Sequence, residues 1–144
     1  MSRIILVGSD TAEMSGIQEV LKRYGHRVLR LSEGGPALEA MESGDGADAV
    51  IMDLDASGED GLGFVSALRK TAPALPVVLL AGRGSMEEYL AARSLGADAY
   101  IVKPVNARNL ERVVTAIVRG RRTAGDRQQF PSPAQALLLR DERG

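Results

Sequence analysis

The chain has 144 residues, 44% of them hydrophobic and 26% charged, with two Phe, three Tyr, no Trp and no Cys, which fits one aliphatic-cored domain plus a tail. Lack of Cys excludes disulfides, thiolate metal sites and thiol catalysis, the scarcity of aromatics gives nucleic-acid bases little to stack on, and no apolar run nears the roughly 18 to 20 residues of a membrane span. With a net charge of −1 and no secretory leader at the N-terminus, the reading is a cytoplasmic protein.

Ile4 to Val7 is apolar at every position, as in a strand covered on both faces, and runs into Gly8, Ser9 and Asp10. Met14, Ile17, Leu21 and Tyr24 then fall at helical spacing on one face, with Gly25 placed to end that first helix and the lone His26 reading as a surface residue. Val28 to Leu31 is a second apolar run. Pro36 suits a first helical position, with Leu38 and Met41 as the buried pair of a short second helix. Ala49 to Met52 is a third strand, with Asp53 at its rim. Leu62, Val65 and Leu68 mark a third helix, closed before Pro73. Val77 to Leu80 is the fourth strand, followed by Ala81 and Gly82. Ser85 and Glu88 form a capping box ahead of Leu90, Ala91 and Leu95, and Gly96 ends that fourth helix, whose Glu87 and Glu88 suit the macrodipole. Tyr100 to Val102 is the fifth strand, ending at Lys103. Asn106 caps a fifth helix with Leu110, Val113, Val114 and Ile117 inward.

Domain boundaries are expected at 1–119 for the folded unit and 120–144 for a basic tail. Residues 1–118 carry 12 Lys and Arg against 16 Asp and Glu, whereas 119–144 carry six Arg against three acids. A solvated linker explains that bias better than nucleic-acid binding does. Ser132, Pro133 and Gln135 precede Leu137 to Leu139 in the manner of a short terminal helix, so the tail reads as a docking helix or as the start of a linker to a further domain.

Five strands alternating with five helices predict a doubly wound α/β fold with right-handed crossovers, and such sheets bind ligands beyond the C-terminal ends of their strands. Gly8, Ser9, Asp10, Asp53, Asp55, Ala81, Gly82 and Lys103 should meet there. By spacing alone Asp53 is equally an acid that stops a strand and caps a turn. The Gly8 and Ser9 amides, in turn, are candidates to cradle an anion in a small-ligand-binding domain.

The segment DAVIMDLDASGEDGLGFVSALRK, from Asp48 to Lys70, resembles the phosphoacceptor segment of two-component response regulator receiver domains, with Asp53 as the acceptor, Gly61 eight residues on and Asp60 before it. LGADAYIVKP, from Leu95 to Pro104, is similar to that family's fifth strand, matched by Tyr100, Lys103 and Pro104. The resemblance covers roughly residues 3–119. It implies a flavodoxin-like (βα)5 three-layer sandwich with a five-stranded parallel sheet in the order 2-1-3-4-5, and a signalling module rather than an enzyme. It also implies phosphorylation of Asp53 by a histidine kinase, Mg²⁺ held by Asp53, an acidic pair after the first strand and a backbone carbonyl, a phosphate-binding Lys103, and a Thr or Ser after the fourth strand that draws an aromatic residue inward. Its partners are a histidine kinase or an effector protein, met on the face of the fourth helix, fifth strand and fifth helix where Tyr89, Arg93, Tyr100 and Arg112 would be presented. That face also serves homodimers; nucleic acid would be contacted only through an effector domain, and no membrane is involved.

Three positions depart from the pattern. Gly8 and Ser9 stand where the acidic pair belongs, Ala81 where the hydroxyl belongs, and Ser57 where Pro is usual. Mg²⁺ requires hard oxygen ligands in near-octahedral array, so binding should be weak or absent, with Asp10, Asp53 and Asp55 the carboxylates remaining. Alanine at 81 cannot donate a hydrogen bond, so Tyr100 reads as packing rather than a rotating switch. The expectation is a pseudo-receiver in which Asp53 and Lys103 pair directly, acting by protein contact with phosphorylation weak or absent. The alternatives are a working phosphoacceptor with Asp10 or Asp55 as substitute ligands, and the anion binder.

Overall fold

In the computed structural model, which describes residues 2–32, 36, 39, 46–55 and 61–124, five strands and four fully described helices follow one another along the chain. They are β1 (Arg3–Val7), α1 (Ala12–Arg23), β2 (Arg27–Leu31), β3 (Ala49–Asp53), α2 (Gly61–Thr71), β4 (Val77–Ala81), α3 (Met86–Ser94), β5 (Ala99–Val102) and α4 (Ala107–Ala124). The third, fourth and fifth helices expected from sequence are thus α2, α3 and α4. Pro36 and Glu39 are helical; Leu38 and Met41, Ser57, Asp60 and the Ser132, Pro133, Gln135 signature lie outside the described residues. Helix α4 runs five residues past 119, so its basic end, with Arg121 and Arg122, is continuous with the folded unit.

All strands pair in parallel in the order β2-β1-β3-β4-β5, the flavodoxin-like arrangement expected. Alternation along the strands divides the core in two. Ile5, Val7, Val50, Met52, Val77 and Leu79 face α2 and α3, meeting Phe64, Val65, Leu68, Tyr89 and Ala92. Ile4, Leu6, Ile51, Val78, Leu80 and Ile101 face α1 and α4, meeting Met14, Ile17, Leu21, Leu110, Val114 and Ile117. With helices on both faces, β3, β4 and β5 are buried at every position, the physical reason for their unbroken apolar runs. Strand β2 lies at the edge and is only partly covered.

Helix ends follow their caps. Thr11 accepts the Met14 amide at 3.2 Å, Ser85 the Glu88 amide at 3.0 Å and Asn106 the Asn109 amide at 3.0 Å. Two expected faces need correction. Tyr24 is the C-cap of α1, outside the helical register, and is 43% exposed. In α3 the buried residues are Tyr89, expected on the presented face, and Ala92, while Leu90 is 50% exposed.

Candidate functional site

Asp53 ends β3, paired with Leu80 of β4, and is 4% exposed. Its Oδ1 accepts the amide of Asp55 at 2.9 Å, the turn by which an aspartate commonly closes a strand. Its Oδ2 accepts a 2.7 Å hydrogen bond from Lys103 Nζ. Lys103 is placed by its own amide, which donates to the carbonyl of Ala81 at 2.7 Å. Two further carboxylates approach the same ammonium, Asp55 Oδ2 at 3.5 Å and Glu13 Oε1 at 3.9 Å. Glu13 sits in the first turn of α1, and its Oε2 accepts the amide of Val105 at 3.1 Å, tying that turn to the loop after the cis Lys103–Pro104 bond. Burial, the largest influence, pulls the Lys103 pKa down; the hydrogen bond to Asp53 and the charges of Asp53, Asp55 and Glu13 outweigh it and hold the pKa above the ordinary lysine value.

The loop after β1 is occupied by the protein itself. Gly8 donates its amide to the carbonyl of Leu31 at 2.9 Å, so that amide is not available to an anion. A Cβ on Gly8 would stand 2.6 Å from Cε of the buried Met14 and 3.1 Å from Cβ of Asp53. Ser9 turns its carbonyl to Thr11 N at 2.9 Å and to Arg30 Nη2 at 3.4 Å. Asp10 does not join the cluster: its side chain is 96% exposed and lies 3.9 Å from Arg30, on the edge strand. Ala81 is buried at the end of β4, and the Asp55 carboxylate lies against Gly82 in the space a side chain there would fill. At Gly61, the first residue of α2, an added Cβ would stand 2.5 Å from Leu54 Cδ2. Among the described residues, no three His, Asp or Glu side chains are grouped to hold a metal ion. A cavity of about 180 Å³ beside Arg3, Arg27 and Leu29 lies at the opposite rim of the sheet.

Tyr100 is 2% exposed and points inward, its ring edge-on to Tyr89 at 5.8 Å between centroids. Its hydroxyl donates to Glu88 Oε1 at 2.6 Å and accepts the Ser85 amide at 3.2 Å. In an ordinary capping box the glutamate would take that amide itself; here the phenol is inserted between them. Burial first, then the Glu88 hydrogen bond, push the phenol pKa above the usual tyrosine range, so the phenol keeps its proton. Tyr100→Phe is expected to lower stability by about 1 kcal/mol through loss of the bridge. Urea denaturation checks this, and an unchanged midpoint would mean that the hydroxyl contributes nothing.

A family model described as the response regulator receiver domain matches residues 4–115. The chain belongs to this family. Among its relatives, the transcriptional regulatory protein CpxR of Escherichia coli K12 is 34% identical over 119 residues, covering 83% of this chain and 50% of CpxR. AfsQ1 of Streptomyces coelicolor is 31% identical, covering 92% of this chain and 58% of its own. The chain thus spans about half the length of these regulators. Protein PilH of Pseudomonas aeruginosa is matched along 100% of its length at 29% identity, covering 83% of this chain. Among solved structures, a CheY-like receiver domain protein from Methanospirillum hungatei superposes with a TM-score of 0.78 at 25% identity, covering 85% of this chain and 97% of that one.

Within this receiver domain, Asp53, Asp55 and Lys103 come together as the sequence predicts, Gly8, Ser9 and Ala81 fall at the strand ends assigned to them, and Tyr100 lies within β5. Tyr89 and Tyr100 are not presented to partners, since both are buried against each other and α2; the exposed residues of α3 include Met86, Leu90 and Arg93. Sequence reading missed Glu13, although an acid in the first turn after the first strand was a usable signal. It also misjudged His26, which is held by Glu111 Oε2 at 2.9 Å with its side chain 7% exposed. No described helix is long and apolar enough to cross a membrane.

Proposed function

We propose that this chain is a pseudo-receiver, a signalling module that works through protein contact and carries little or no phosphate on Asp53. The observation that carries the reading is the packing in front of β1: the terminal methyl of Met14 lies where a side chain at position 8 would begin, and neither Gly8 nor Ser9 supplies a carboxylate. The oxygens that remain, from Asp53, Asp55 and Glu13, are directed at Lys103. A hard divalent cation would have to compete with that ammonium for all three, so this set does not suit Mg²⁺. Ala81 adds nothing that could hold a phosphoryl oxygen.

Receiver domains are signalling modules that interact with histidine kinases and effector domains. For this chain the contact face is α3, β5 and α4, with Met86, Leu90, Arg93 and Arg112 exposed on its two helices, serving a kinase, an effector protein or a second copy. The competing reading, a working phosphoacceptor, draws on the intact Asp53–Lys103 pair. Incubation of the full chain with acetyl phosphate and Mg²⁺, followed by intact mass, separates the two. The expected spectrum shows the unmodified mass; a stoichiometric phosphoryl adduct, abolished in Asp53→Asn, would establish the phosphoacceptor instead.

A further inference from the structure

Helix α4 carries five arginines and one glutamate. At about 100° per residue, Arg108, Arg112 and Arg119 fall within about 40° of one another and form a stripe about 16 Å long. All three are exposed. The helix's single acid, Glu111, lies about 60° from Arg108 around the helix and within reach of its charge, but it is engaged by His26 and the Thr115 hydroxyl, at 2.9 and 2.8 Å, with its side chain only 12% exposed. Arg108 stands 5.1 Å over the ring of the half-exposed Tyr24, which orients its guanidinium in advance. Lys22 and Arg23, both exposed in the last turn of α1, immediately precede Tyr24.

We infer that Tyr24 with Arg108, Arg112 and Arg119 forms a docking surface for an acidic segment of a partner protein. An exposed aromatic stacked on an arginine is the composition of an interface anchor. Guanidinium forks pair bidentately with carboxylates, and a helix bearing Glu one turn apart matches the spacing of Arg108 and Arg112. Net charge argues for a short acidic segment over a nucleic acid. Residues 1–118 carry 12 cations against 16 anions, so the long field of a duplex meets a body that repels it, while a peptide on α4 feels chiefly the local stripe. This surface extends from Arg112, which it shares with the face of α3, β5 and α4, toward Tyr24 at the end of α1, and does not depend on whether Asp53 takes phosphate.

Fluorescence anisotropy of the full chain with a labelled alanine-rich helical peptide carrying Glu at i, i+4 pairs tests it, with the Lys version of the peptide and a duplex of about 20 base pairs as the other arms. The expected result is binding of the Glu peptide at low salt and none of the Lys peptide. That binding should weaken about tenfold in the Arg108→Ala, Arg112→Ala double variant and about threefold in Tyr24→Ala, with circular dichroism unchanged. Failure of the Glu peptide to bind, equal binding by the double variant, or tighter binding of the duplex would each overturn the assignment.

Discussion

Replacing Arg69 with alanine is expected to lower the stability of the chain by about 3–5 kcal/mol, the cost of removing one partner from a buried ion pair. Arg69 lies in the last turn of α2 with its side chain 14% exposed, beside an Asp98 side chain that is 5% exposed. Its guanidinium donates to the carbonyls of Ala72 at 3.1 Å, Leu75 at 2.6 Å and Gly96 at 2.7 Å, and to Asp98 Oδ2 at 3.1 Å. Asp98 Oδ2 in turn accepts the amide that opens β4, Val77 N, at 2.8 Å. One side chain thereby joins the end of α2, the end of α3 and the starts of β4 and β5. Truncation would strip the counter-charge from a carboxylate that water cannot reach. Urea denaturation of Arg69→Ala, with Asp98→Asn and the double variant completing the cycle, measures both the loss and the coupling. Arg69→Lys should recover little, since a point charge cannot span four acceptors. A loss below about 1 kcal/mol would refute the account.

The second large effect is expected at Lys103. Lys103→Met would leave Asp53, almost wholly buried, beside Asp55 and Glu13 with no cation among them, at a cost on the order of 3 kcal/mol at neutral pH. The sign on the alkaline side is set by the raised pKa of Lys103. A group whose folded pKa exceeds its unfolded value stabilises fully below the unfolded value, here 10.5, and loses that contribution as pH rises through the higher folded value. The difference in unfolding free energy between the parent and Lys103→Met should therefore be constant through neutral pH and shrink above about pH 10.5. A difference that grew with alkalinity would contradict the pairing.

The frame of the fold and half of the site are legible in the sequence for a common reason. Runs such as AVIM announce a strand covered on both faces, and the residue next in the chain, Asp53 as the last of β3 or Lys103 just after β5, is then fixed at the sheet rim by connectivity alone. Phase within short helices is less visible. Leu90 is more apolar than Tyr89, and a nine-residue helix offers too few positions for periodicity to overrule that; the Ser85 cap did carry the answer, since it puts Tyr89 one turn in, facing the core. Contacts between distant segments leave no local trace at all. His26 with Glu111, Arg69 with Asp98 and Glu13 with Val105 are separated by 85, 29 and 92 residues. Each pair is ordinary in its own neighbourhood and acquires meaning only when the sheet brings the two together.

The phenol between Ser85 and Glu88 has one more consequence, for how this region can move. Because the first turn of α3 is fastened to a side chain rooted in β5, the helix cannot creep along the sheet by small degrees while that fastening holds. A displacement of the first turn of α3 along β5 would strain both hydrogen bonds and the edge-on packing of Tyr100 against Tyr89 together. Motion of this turn is therefore expected as a jump between separate positions rather than a graded drift, and relaxation-dispersion measurements on α3 would test it.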